Sequence, residues 1–242
     1  MIGVILAAGM ARRLRPLTDA CPKCLLKVGS RTLLQRTVDA MLLAGVSELV
    51  VVTGYKADML RSYLVSTYPQ LGIRFIDNPD YEHNNNIYSL WLAMRAVRGK
   101  DFLLMDSDIL CDPAAVVRIA REPLSALAVS RHELGEEEMK VVVNDRGDII
   151  EISKTCRPED AMGESVGIEM ITADYSEALG RELSQMIEHE GLVDIFYERA
   201  FERLIPQGHT FHVVDTTDYF SCELDTPEDF EQASLLLPVE LY

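Results

Sequence analysis

Four short, almost continuous apolar runs constrain the fold of this chain most: IGVILA (2–7), ELVVVTG (48–54), IRFID (73–77) and DFLLMDSD (101–108). Between them, apolar residues recur at helical intervals. Leu33, Leu34, Val38, Met41 and Leu42 form one stripe, closed by Gly45. Met59, Leu60, Tyr63 and Leu64 form a second. Ile87, Leu90, Trp91, Met94 and Val97 form a third, behind the caps offered by Asn84 to Asn86. Strands apolar on both faces and alternating with helices belong in a parallel sheet covered on both sides.

From about residue 124 the pattern changes. ALAVS, MKVVV and DIIEIS alternate around NDRGD, a hairpin-type turn. The spacing predicts helices over 173–188 and 193–204, strands near 210–224 and a last helix from Pro227. The expectation is one α/β domain over 1–242, with a mixed, mainly parallel sheet flanked by helices. Residues 1–123 form its ligand-binding half, and 124–242 add a small antiparallel lobe.

The formal net charge of −16 argues against general affinity for nucleic acid or an anionic membrane surface. A polyanionic ligand therefore needs a local cationic site set against the global field. The five cysteines are odd in number and irregular in spacing, as in a reduced intracellular chain. Cys21 and Cys24 make a CxxC, but no second CxxC or histidine pair completes a zinc site. The apolar stretch at the N-terminus precedes its charges, unlike a signal peptide, and no apolar run approaches the length of a membrane span. A cytoplasmic protein is expected.

The first strand runs into a turn of small residues and then into arginines, ILAAGMARRLRPLTDACPK (5–23). In open parallel sheets, ligands bind beyond the carboxyl ends of the strands, where this turn lies. Small residues let backbone N–H groups approach a phosphate, Arg13 offers a forked donor and Lys23 a point charge. The same residues also suit a solvated turn with surface ion pairs. Neither GxxxxGK[ST] nor GxGxxG is present, which disfavours a dinucleotide-binding dehydrogenase.

Asp106 and Asp108 close the fourth apolar run, and strand alternation puts both on one face. Carboxylates there suit Mg²⁺, which takes one or two of them together with phosphate oxygens. Helix capping is the competing role, better served by Asp112 before Pro113. Asp225, in ELDTPEDF (223–230), has the same two readings.

The stretch LAAGMARRLRPLTDACPK (6–23) resembles the sugar-phosphate nucleotidyltransferase signature LAAGxGxRLxPLTxxxPK, with Ala11 in place of a glycine. NPDYEHNNNIYSLW (78–91) is similar to the NNxYSL element of the small-substrate cytidylyltransferases, which act on phosphocholine or 2-aminoethylphosphonate. The likeness continues through VDIFYERAF (193–201) and ELDTPEDF. It implies a Rossmann-like nucleotidyltransferase domain whose lobe covers the acceptor.

The resemblance further implies CMP transfer from CTP to a small phosphonate or phosphate, with release of pyrophosphate. Lys23, Arg13, Asp108 and Asp225 are then the catalytic set, and Asp108 and Asp225 hold Mg²⁺. The nucleotide falls to Leu6, Ala7, Ala8, Gly9, Met10, Ala11, Arg12, Arg13, Lys23, Asn85, Asn86, Ser89 and Asp106. Glu164, Glu169 and Asp194 are the acids expected to hydrogen-bond an amino-bearing acceptor. The partners expected are CTP and that acceptor, without nucleic acid or membrane, and a homodimer is the assembly considered. A sugar-1-phosphate nucleotidyltransferase and a non-catalytic nucleotide-binding module are the alternatives.

Overall fold

The computed structural model describes residues 1–238 and 241. The first half runs β1 (Ile2–Ala7), α1 (Leu17–Ala20), β2 (Lys27–Val28), β3 (Arg31–Thr32), α2 (Leu33–Leu43), β4 (Glu48–Thr53) and α3 (Ala57–Thr67). It continues through β5 (Gly72–Asp77), α4 (Asn86–Val97), β6 (Phe102–Asp106), β7 (Ile109–Cys111) and α5 (Pro113–Ala120). The second half contains β8 (Ala126–Ser130), β9 (Lys140–Val143), β10 (Ile149–Ser153), β11 (Gly163–Ile171) and α6 (Ala173–Ser184). It ends with α7 (Glu198–Leu204), β12 (His212–Asp215), β13 (Ser221–Glu223) and α8 (Pro227–Leu236).

One nine-stranded sheet carries the fold, in the order β10–β9–β11–β6–β1–β4–β5, with β8 paired to β11 and β12 to β8. Strands β6, β1, β4 and β5 are parallel, as their apolar runs require. The residues of β1 alternate between two cores. Val4 and Leu6 pack with side chains of α4, α6 and α7, whereas Ile5 and Ala7 pack with those of α2, α3 and α5. Truncating a fully buried residue of this kind, such as Leu104, costs about 2–5 kcal/mol.

Helix starts follow local capping chemistry. Thr32 Oγ1 accepts the Gln35 N–H at 3.0 Å before α2, and Asp112 accepts the Ala114 N–H at 2.8 Å before α5. Thr226 and Asp229 form a capping box at α8, so Asp225 is not the cap there.

Four expectations need correction. The longest strand, β11, has no counterpart in the sequence reading, because GESVGIEMI mixes glycines and acids with its apolar residues and shows neither alternation nor a continuous run. Yet β11 joins the parallel half to the lobe, antiparallel to β6, β8 and β9. Its pairing with β8 shifts between Ser165 and Glu169, where Gly167 adopts φ +67°. A Cβ at Gly167 would lie 2.7 Å from Ile109 Cδ1 and 3.1 Å from Asp106 Oδ2, so only glycine fits this bulge.

The helix expected over 193–204 begins only at Glu198, and 191–197 is an irregular segment bonded to the start of α4 through the Asn85 N–H and the Asn86 side chain. The helix expected over 173–188 closes at Ser184 and continues as one π-type turn, Gln185–His189. Finally, β6 ends at Asp106 and the chain turns through Ser107 and Asp108. Strand alternation therefore does not relate Asp106 to Asp108, and the two carboxylates have different neighbours.

Candidate functional site

A cleft of about 330 Å³ opens at the carboxyl ends of β1 and β6, where ligands bind in open parallel sheets. Its first wall is the turn after β1, with Leu6, Ala7, Ala8, Gly9, Ala11 and Arg13, together with Lys23. A Cβ on Gly9 would meet no protein atom within 4 Å, so the space above this backbone is open to a ligand. Ala11 stands at φ 46°, ψ 57°, left-handed geometry that a glycine adopts without steric cost. Its carbonyl is fixed by the Leu14 N–H at 3.0 Å and the Thr18 hydroxyl at 3.1 Å.

Lys23, only 8% exposed, joins this wall to the two acids that the resemblance singles out. Its ammonium lies 2.7 Å from Asp225 Oδ1 and 3.1 Å from Asp108 Oδ2, and Arg13 pairs with the other Asp225 oxygen. Burial alone would lower the Lys23 pKa, but the two carboxylates outweigh it and hold the lysine above its ordinary value. Asp225 responds in the opposite sense: burial would raise its pKa, and the charges of Lys23 and Arg13 bring it below the usual range.

The second wall is asparagine-rich. Asn78 and Asn84 exchange amide hydrogen bonds at 2.7 and 3.1 Å, and Asn78 also donates to Ser89 Oγ at 3.1 Å. Asn85 caps α4 through the Asn86 N–H at 2.8 Å, while Asn86 Oδ1 accepts the Tyr197 N–H at 3.0 Å. Asn85, Asn86 and Ser89 line the cleft as the sequence reading placed them, but each already holds part of the scaffold.

The lobe supplies the remaining wall, with Glu164, Ser165, Lys154, Phe196, Glu198 and Glu223. Glu198 is 6% exposed, and its Oε2 has no hydrogen-bond partner among the described residues. Burial pushes the carboxyls of Glu198 and Glu164 up to about 7. Asp106 is set back at the floor, where Tyr197 Oη donates to it at 3.0 Å and approaches Glu169 at 3.4 Å. Burial and then the charges of Asp108 and Glu198 raise Asp106 well above the usual carboxylate range.

Four of the residues assigned from sequence fit less directly. Glu169 is fully buried behind Asp106, bonded to Tyr197, and does not line the cleft. Asp194 is exposed on the irregular segment and lies outside the lining, because α7 starts later than its periodicity suggested. Met10 and Arg12 likewise lie outside the lining, although they share the loop of residues that form it. Conversely, Asn78, Lys154, Glu198 and Glu223 escaped the sequence reading. Lys154 directly follows β10, and Glu198 lies within VDIFYERAF, but no spacing rule distinguishes either from a surface charge.

Asp108 and Asp225 present hard oxygen donors to one point, now taken by an ammonium, and this donor chemistry fits Mg²⁺. Among the described residues, no group of three or more His, Cys, Asp or Glu side chains is arranged to hold a metal ion. Nor is any described helix long and apolar enough to cross a membrane.

Comparison with known proteins accords with this geometry. The chain is 28% identical over 241 residues to the CMP-5'-(3-aminopropyl)phosphonate synthase of Streptomyces rubellomurinus, covering 95% of this chain but only 38% of that protein's length. It is 26% identical over 196 residues to the 2-aminoethylphosphonate cytidylyltransferase of Lancefieldella rimae, covering 81% of this chain and 76% of the relative. The solved structure of the CTP:phosphocholine cytidylyltransferase from Streptococcus pneumoniae superposes with a TM-score of 0.83, over 98% of this chain and 99% of that one. At 21% identity that likeness shows the fold alone. Residues 3–204 match the family model of the MobA-like NTP transferase domain, so the chain belongs to that family of nucleotidyltransferases.

Proposed function

We propose that this nucleotidyltransferase moves a cytidylyl group from CTP to a small phosphonate or phosphate that carries a primary amine. The observation that carries the reading is the division of charge along the cleft. Arg13 and Lys23 come from the first loop, where Asp108 and Asp225 already pair with them, whereas the lobe brings Glu164, Glu198 and Glu223 to the lining against one cation, Lys154. Glu198 adds a buried carboxylate oxygen without a partner among the described residues, and a buried acceptor atom without a donor is costly until a ligand satisfies it. An ammonium brings three N–H donors to such a wall. A neutral sugar brings no opposing charge.

A quaternary ammonium suits the site less. Such groups favour an aromatic cage, and tryptophan serves best in one. Trp91 is outside the cleft, with its ring against Tyr88 and Arg95. Phe196 does line the cleft, but Lys154 Nζ already sits 4.7 Å from its ring centre.

In the proposed reaction an acceptor oxygen attacks the α-phosphorus of CTP. The bond from that phosphorus to the bridging oxygen breaks, and pyrophosphate leaves with the electron pair. The attacking oxygen is already ionised at neutral pH, so no strong base is required. The work of the protein is to bring two anions together in line. Lys23 and Arg13 neutralise phosphate charge as it shifts toward the leaving group, and Lys154 offers a cation from the lobe. When bound, Mg²⁺ supplies further neutralisation at the phosphate oxygens, and Asp108 and Asp225 are the residues that would hold it.

The test is pyrophosphate release with each of the four common nucleoside triphosphates against 2-aminoethylphosphonate, phosphocholine and sugar 1-phosphates. The expected result is a higher kcat/KM for CTP with the primary amine. Preference for phosphocholine or a sugar 1-phosphate would overturn the acceptor, and preference for another base would overturn the nucleotide.

A further inference from the structure

The lobe contains a buried lysine that the chemistry of the cleft does not use. Lys140 opens β9 and is only 1% exposed, opposite Ser153 of β10 and Glu164 of β11. Among the described residues its ammonium forms no ion pair. It donates instead to three main-chain carbonyls, those of Lys154 at 2.8 Å, Glu138 at 3.2 Å and Glu136 at 3.3 Å. An ammonium has three N–H donors, so this cage occupies all of them. A buried cation is costly unless such bonds hold it, and the three carbonyls need the cation in turn.

The carbonyls belong to two segments that the hairpin ladder leaves behind. Pairing between β9 and β10 ends at Lys140 and Ser153, so Glu136 to Met139 precede it and Lys154 follows it. Both segments reach the cleft, where Glu137, Met139 and Lys154 belong to the lining. Glu137 stands between two residues whose carbonyls Lys140 holds, and the Lys154 carbonyl shares a Cα with the side chain that enters the cleft. The Lys154 amine then lies 3.9 Å from Glu137 and 4.7 Å from the centre of the Phe196 ring. A single buried ammonium thus joins the two segments behind the wall that their side chains form in front.

We propose that Lys140 is a positioning residue for the acceptor: its ammonium ties the entry of β9 to the exit of β10 and so sets where Lys154 and Glu137 stand in the cleft. It touches no substrate itself. The inference rests on the reading of the cleft as a site for a nucleotide and an anionic acceptor, and it assigns Lys140 to the acceptor side alone. Arg13 and Lys23 lie on a different element and keep their own partners, Asp108 and Asp225.

Two variants test it. Lys140→Met keeps the reach of the side chain and removes its donors, whereas Lys140→Arg keeps the charge on a planar fork that does not fit three converging carbonyls. With CTP and 2-aminoethylphosphonate, Lys140→Met should raise the acceptor KM about tenfold, with kcat within about threefold and the KM for CTP within about twofold of native. Lys140→Arg should raise the acceptor KM by less. A second measurement needs no turnover: trace acetylation with acetic anhydride, read residue by residue by mass spectrometry. The rate at Lys154 should rise in both variants, while the exposed Lys27 and Lys100, outside the lobe, keep their native rates.

A native acceptor KM or a native Lys154 rate in a folded variant overturns the proposal, and so does an equal rise in the KM for CTP. If Lys140→Met does not fold, Lys140→Arg decides alone. Failure of both to fold makes Lys140 a residue of the fold and overturns its positioning role. If the native protein transfers no cytidylyl group, the proposed function falls, and the Lys154 rates still decide whether Lys140 sets this wall.

Discussion

The Lys23 ammonium lies 2.7 Å from the carboxylate of Asp225, a residue 202 positions further along the chain. Asp108 completes the arrangement from the turn after β6, at 3.1 Å. The lysine of the first loop and both acids singled out by resemblance therefore meet at one point. On the proposed reading, Asp108→Asn and Asp225→Asn should each lower pyrophosphate-forming turnover about 10²-fold or more, because each removes a partner of Lys23 and a carboxylate proposed to hold Mg²⁺. Steady-state rates at several Mg²⁺ concentrations check this, and near-native turnover in either variant rejects the role of that residue. Lys23→Ala should lower kcat comparably. A normal kcat with weakened CTP binding would confine Lys23 to ground-state binding.

Replacing Ala11 by glycine should stabilise the protein. Chain entropy alone predicts a loss of about 0.4–1 kcal/mol. The left-handed backbone at φ 46° reverses the sign, since a non-glycine residue there carries a strain of roughly 1–2 kcal/mol. A net gain of about 0.5–1 kcal/mol is expected in urea unfolding, with activity retained. Loss of activity would mean that the methyl group helps to shape the loop.

Tyr197→Phe should keep the buried ring and the backbone N–H that Asn86 accepts, but remove the donor nearest both Asp106 and Glu169. The expected cost is about 1–3 kcal/mol, that of leaving buried acceptors without a donor. A double-mutant cycle with Glu169→Gln tests whether the loss runs through this cluster. Strict additivity would show that it does not.

Glu198 gives the pH dependence a sign. Burial raises its carboxyl from 4.5 to about 7, so the folded chain binds a proton there that the unfolded chain releases. The protonated form is the more stable, and stability should fall as pH rises from about 4.5 to 7. Glu198→Gln should flatten this slope and stabilise the protein at pH 8, by a magnitude on the order of 2 kcal/mol. Thermal unfolding of both proteins across this range provides the measurement. If Glu198 receives the acceptor ammonium, binding near pH 7 should also release protons, seen as a buffer-dependent heat in calorimetry. A buffer-independent heat would place the ammonium elsewhere.

The parallel half of the fold was legible in the sequence because its signals are local. Strands β1, β4, β5 and β6 are apolar on both faces, and the stripes between them keep helical spacing, with Asn85 and Asp112 as caps. The first loop was legible too, since many characteristic residues fall within one short stretch. Strand β11 was not. Its acids are accommodated only by tertiary contacts, such as the Tyr197 hydroxyl approaching Glu169 from a segment 28 positions away.

The same limit governs the site. The sequence by itself determined that Gly9 and Arg13 share the turn after β1, because residues so close in the chain cannot separate, with Lys23 following beyond α1. Only the tertiary structure decided which distant acids they meet. It brought Asp225 to Lys23 and hid Glu169 behind Asp106, while Asp194 was left exposed and the unmarked Glu198 stood in the lining. An acid carries the same formal charge wherever it lies in the chain. What separates ligand, scaffold and surface among these four is burial and the nearest donor, and long-range packing sets both.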